Sequence, residues 1–133
     1  MKKIILAVVV CMAVVLGGCK EKLVSTTYRI GCLDFQYSAS NVSGILAIEE
    51  YLKANVEFNK LVTFEGHTQS ENDAQAIALY ENQIAKVDKD FVCSQLHEAE
   101  YYVYGIGTKS ANGEYHTLKG TKFTATGVEE VQD

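Results

Sequence analysis

The stretch EYYVYGIGTKSANGEYHTLKGTKFTAT, Glu100 to Thr126, decides the fold. Its first part is rich in Tyr, Val and Ile, side chains that fit a pleated and half-buried surface. Asn112-Gly113 stands in the middle, and a tight hairpin needs φ > 0 at both turn positions, which this pair tolerates best. Glu100 to Thr108 is therefore predicted as a strand and Glu114 to Thr126 as its return. With a two-residue loop, Ala111 faces Glu114. Counting outward sets Ile106 opposite Lys119, Gly105 opposite Gly120, Tyr104 opposite Thr121 and Tyr102 opposite Phe123. Tyr102, Tyr104 and Phe123 then share one face as an aromatic cluster. Gly105 against Gly120 leaves bare backbone, flanked by Tyr101, Val103, Leu118 and Lys122. Such a strip admits a ligand or a second chain closely, or lets a helix pack tightly or the sheet coil.

Towards the N-terminus, Thr26 to Ser38 is another β-rich run whose alternation changes parity. Tyr28, Ile30 and Cys32 fall on one side and Leu33, Phe35 and Tyr37 on the other, with Gly31 as the expected bulge. After capping residues at Ser38–Asn41, Ile45, Ile48 and Leu52 follow helical spacing, and the helix fades near Asn55. A second strand is expected over Lys60–Glu65. Ser70-Glu71-Asn72-Asp73 opens a second helix, with acids suited to its N-terminus. Its stripe is Ala74, Ile77, Ala78, Ile84, Ala85 and Phe91, and it runs to Lys89 or Cys93. Gly127 to Asp133 reads as an acidic, frayed tail. The order β-α-β-α-β-β points to an α+β two-layer sandwich, a mainly antiparallel sheet with two helices on one face.

The chain starts with Met1-Lys2-Lys3, an apolar run from Ile4 to Leu16, and Gly17-Gly18 before Cys19. This is the pattern of a secretory leader, and the run is too short for the roughly 20 residues of a membrane span. Leu16-Gly17-Gly18-Cys19 resembles the lipobox of bacterial lipoproteins, which signal peptidase II cuts ahead of a cysteine that carries lipid. The resemblance covers the leader alone. It implies lipidation at Cys19, a membrane partner, and a place in the cell envelope at the outer membrane, on its periplasmic or surface face. Lys20-Glu21-Lys22 loosely resembles the export tract of surface lipoproteins in Bacteroidetes. The expected organisation is a signal peptide over 1–18, a tether over 19–25, one domain over 26–126 and the tail over 127–133.

Cleavage before Cys19 leaves 115 residues and removes Lys2 and Lys3, so ten basic residues stand against 17 acidic ones, a net charge of about −7. That acidity argues against nucleic acid as a partner. With Cys11 lost and Cys19 lipidated, Cys32 and Cys93 remain as an even pair in an oxidising space, and a disulfide between them is expected. Two separate thiols, packing as small hydrophobes, are the other reading.

No catalytic signature emerges. The histidines His67, His97 and His116 show no HExxH or HxH spacing, and GxSxG and SxxK are absent. Gly105-Ile106-Gly107 lacks the third glycine and the following helix of a phosphate-binding loop. No cofactor and no metal is expected. The leading expectation is a non-catalytic binding module that recognises a protein or glycan through the Tyr-rich hairpin, with Tyr101, Tyr102, Tyr104, Gly105, Tyr115 and Gly120 as contacts. Two alternatives are an inhibitor or immunity-type protein, which suits an acidic surface, and a small metal-assisted hydrolase in which His67 and His97 meet.

Overall fold

The computed structural model describes residues 22–109 and 113–132. Among the described residues, five strands form one antiparallel sheet in the order β2-β1-β3-β4-β5. They are β1 (Val24–Gln36), β2 (Lys60–Gly66), β3 (Tyr101–Lys109), β4 (Tyr115–Thr124) and β5 (Gly127–Val131). A single 3-10 turn (Ala39–Asn41) leads into α1 (Val42–Asn55); α2 (Gln69–Ile84) and the short α3 (Lys89–Ser94) complete the helices. The helices cover one face, so the fold is the expected α+β two-layer sandwich, with one strand and one short helix more than the sequence reading placed.

The core lies between the layers. Tyr28 and Ile30 of β1, Tyr102, Tyr104 and Ile106 of β3, and Phe123 of β4 point inward and are fully buried. Ile45, Ile48 and Leu52 of α1 meet them, with spacing that keeps all three on one side of a helix. Each such side chain contributes about 1.5–3 kcal/mol by leaving water.

Helix α2 buries a different stripe from the expected one: Asn72, Ala76, Leu79, Tyr80 and Gln83. Two of these are polar, and each has a task. The Asn72 amide donates to Val24 O at 2.8 Å, and Gln83 Oε1 accepts from Glu57 N at 2.9 Å. The hydroxyls of Tyr80 and Thr121 also bond across to the sheet. Polar groups that fasten a helix to backbone escape an apolar count.

The predicted long second helix is cut in two. Asp88 caps α3 by accepting from Phe91 N at 3.1 Å, while its own N–H goes to Tyr51 Oη at 2.6 Å. Val87 turns inward between the two helices. A side-chain cap and one buried valine thus outweigh the continued periodicity.

The β3–β4 register agrees with the count from the hairpin over Tyr102↔Phe123, Tyr104↔Thr121, Gly105↔Gly120 and Ile106↔Lys119. Beyond Ile106 it slips by one, and Gly107 faces Thr117. A Cβ on Gly107 would collide with His116 O, so this close approach needs glycine. Ala111 and Asn112 lie outside the described residues. In β1 the parity change comes at a bulge between Cys32 and Asp34, just after Gly31.

The segment expected as a tail is β5. It pairs with β4 over Gly120↔Val131 to Thr124↔Gly127. Glu130 and Glu129 lie 3.5 Å and 3.9 Å from Lys119 and Lys122. Strand β1 likewise begins at Val24, inside the stretch expected as tether.

Candidate functional site

Cys19 lies outside the described residues. Cys32 and Cys93 are free thiols, which corrects the expected disulfide. Cys32 sits on β1 opposite Tyr104, and its Sγ contacts Asp34 O at 3.6 Å. Cys93 sits on α3, with Sγ 3.6 Å from Gly127 O beside the β4–β5 turn. Strand β3 intervenes, and with strands about 4.8 Å apart the two Cα atoms stand beyond the reach of an S–S bridge. Burial pushes both thiols above their ordinary pKa, the opposite of an activated nucleophile.

The six hairpin residues expected as contacts divide. Tyr102 and Tyr104 are fully buried and belong to the core, not to a binding surface. Tyr102 Oη donates to Glu49 Oε2 at 3.3 Å and Tyr104 Oη to Glu57 O at 2.6 Å. Desolvation raises both phenols well above the ordinary tyrosine value. Gly105 and Gly120 are buried as well, which corrects their assignment as an open strip. A Cβ on Gly105 would lie 2.6 Å from Lys119 O and 3.0 Å from Leu33 Cδ1, and one on Gly120 would lie 3.1 Å from Val131 Cγ2. The bare backbone is filled by close strands and by the side chains of Leu33 and Val131.

Tyr101 and Tyr115 remain at the surface, on the sheet face away from the helices. Tyr101 is half-buried, donates to Asp34 Oδ2 at 3.0 Å, and lies under Lys122, whose Nζ is 4.6 Å from the ring centre. The Asp34 carboxylate, accepting that hydrogen bond, raises the phenol's pKa. Tyr115 is 49% exposed. Arg29 and Lys109 each approach its ring centre to 5.9 Å, within cation–π range. The guanidinium is held in place by Cys32 O at 2.6 Å and Asn59 Oδ1 at 2.8 Å. These two tyrosines mark opposite ends of the hairpin, about 27 Å apart at 3.4 Å per residue, so the hairpin presents no single aromatic patch.

His67 and His97 do not meet. His67 follows β2, whose Gly66 pairs with Val24, while His97 precedes β3, whose Tyr101 pairs with Gln36. The length of β1 separates those ends, about 40 Å for 13 residues. The backbone N–H groups of these histidines go to Glu71 and Glu100, at 2.8 and 2.7 Å. Among the described residues no group of three His, Cys, Asp or Glu side chains could hold a metal ion.

A heavily bonded carboxylate is Glu100, which the sequence offers both as the start of a strand and, with His97 and Glu98, as one of the acids of the metal-assisted alternative. It is 5% exposed and accepts from Ser38 N and Oγ, both at 2.8 Å, Asn41 Nδ2 at 2.6 Å and His97 N at 2.7 Å. The Ser38 N–H leads the donors that hold its pKa down to about 2. This cluster ties the start of α1, the loop after α3 and the start of β3 together. All four of these bonds go to the protein's own chain, so the carboxylate acts as a fastening.

Among the described residues no helix is long and apolar enough to cross a membrane. No family model, curated protein or solved structure matches the chain.

Proposed function

We propose that the chain is an envelope lipoprotein held by lipid on Cys19, and that its domain is a non-catalytic binding module contacting a protein or envelope polymer through the outer face of the β3–β4 hairpin at Tyr115. The observation that carries the contact is the half-exposed Tyr115 ring with Arg29 and Lys109 beside it. An exposed ring offers area and a hydroxyl at low entropic cost, and two cations add affinity for acidic groups. The separation of His67 from His97 removes the geometry on which the hydrolase alternative depended.

Two measurements test the parts separately. Cys19→Ser is expected to move the protein from the membrane fraction to the soluble fraction; unchanged fractionation sinks the anchor. Tyr115→Ala with Lys109→Ala is expected to abolish pull-down of the partner from envelope extracts without lowering Tm. Capture at the wild-type level would remove the hairpin from the reading.

A further inference from the structure

Strand β3 stops short of the start of β1. Their pairing ends at Tyr28↔Thr108, while β1 extends to Val24 alongside β2. The notch beside Ser25, Thr26 and Thr27 opens into a cavity of about 530 Å³. Small-ligand sites span about 300–1,000 Å³. Alternation along the strands gives this cavity two ends. Thr26 lies on the helix side with Gln69 of α2, and Arg29, Leu61, Lys109 and Tyr115 lie on the outer face.

The two ends offer opposite chemistry. On the outer face the lining holds two cations, Arg29 and Lys109, and among the described residues no carboxylate. Two other clefts mix their signs: Glu98 stands with Lys122, and Glu81, Glu129 and Glu130 stand with Lys89 and Lys119. In a chain of net charge −5, a cleft charged by cations alone marks a place for an anion. The Arg29 guanidinium is set by Cys32 O and Asn59 Oδ1, which take two of its five N–H donors. On the helix side the groups accept instead. Thr26 Oγ1 donates to Gln69 Oε1 at 2.9 Å and accepts from Asn72 Nδ2 at 3.2 Å. The Gln69 Nε2 group is spent on Asp73 Oδ1 at 2.8 Å and Tyr28 Oη at 3.2 Å. Thr26 Oγ1 and Gln69 Oε1 each keep a lone pair for a ligand's O–H. Between the ends, Thr27 and Thr108 add hydroxyls, and Leu61 is the aliphatic side chain of the lining.

We propose that this cavity binds an acidic sugar, one or two uronate residues of a glycan. The carboxylate meets Arg29 and Lys109, the C–H face of the sugar ring lies on Tyr115, and the sugar hydroxyls donate to Thr26 and Gln69. An acidic peptide fits less well, because peptide grooves are anchored by apolar pockets and this lining is mostly hydroxyl and amide. The inference rests on Tyr115 as the contact of the binding module and names the ligand taken there.

The test uses the full-length protein in detergent. The probes are digalacturonate, diglucuronate and dimannuronate, their neutral methyl esters, and a capped hexapeptide alternating Glu with Ser. Amide NMR is expected to show saturable shifts with at least one uronate, confined to residues 25–29, 69, 108–109 and 115. The methyl ester of that uronate should bind at least tenfold more weakly. Lys109→Gln should weaken the acid severalfold and the ester little, whereas Gln69→Met, at an exposed position, should weaken both. No saturable shifts with any uronate, shifts elsewhere, equal binding of acid and ester, or preference for the peptide would each overturn the sugar. If Tyr115→Ala still abolishes partner capture, that failure is confined to the ligand's identity. Uronate affinity unchanged in Tyr115→Ala would instead remove the hairpin contact on which the inference rests.

Discussion

Gly44 shows how a single residue reverses a general expectation. Glycine inside a helix usually costs about 0.5–1 kcal/mol relative to alanine, so Gly→Ala usually stabilises. In α1 a Cβ at position 44 would run into Gln95 O and the Asn41 amide. Gly44→Ala is expected to destabilise the protein by about 1–3 kcal/mol, the range for overpacking, read as a shift in the urea midpoint at unchanged slope. Glu100 gives the pH counterpart. Its folded pKa of about 2 lies below the ordinary 4.5, so the stability it confers is complete above pH 4.5 and disappears as pH falls towards 2. Denaturation at pH 6, 4 and 2 should show the wild type losing more stability over that window than Glu100→Gln. Parallel loss in both proteins would contradict the depressed pKa. Neither role is legible in the sequence. Gly44 looks like a weak point in a helix and Glu100 like a strand flank, because their partners at Gln95, Ser38 and Asn41 are brought in by the tertiary fold.

Elements were legible where local chemistry repeated. Asn112-Gly113 and the alternation of Tyr102, Tyr104 and Ile106 sufficed for four correct cross-strand pairs, and the count failed only where a bulge inserted a residue beyond Ile106. Ile45, Ile48 and Leu52 likewise marked α1. Strand β5 was hidden because Val128 and Val131 fall on opposite faces and two glutamates separate them. Those glutamates suit an edge strand, since charge there discourages pairing with another chain. Truncation after Thr126 therefore removes a sheet strand, not a loose end. It uncovers Phe123 and the outer edge of β4, and should cost about 2 kcal/mol or more, a fall of roughly 8–16 °C in Tm. A change within 2 °C by calorimetry would restore the tail reading. The candidate contacts were harder to read than the strands. Parity put Tyr102 and Tyr104 on one face, but which face a helix layer covers is set by α1 and α2, whose docking is long-range.

At the scale of the whole molecule the cysteines give the clearest test. Reasoning from an even count assumes that the two residues come together, and the sheet order keeps them apart. Mass spectra under reducing and non-reducing conditions should coincide, and both thiols should alkylate in denaturant without prior reduction but slowly in the native protein. A two-proton difference would overturn the free thiols. The same sheet order sets when the molecule can form. Strand β1 lies between β2 and β3, and its partners on the β3 side, such as Thr108 for Tyr28 and Tyr101 for Gln36, are made late. Pairings of such high sequence separation are entropically expensive and slow. A chain emerging from a ribosome cannot complete this sheet until its last quarter is available. Its topology makes closure of the core one of the last events of its synthesis.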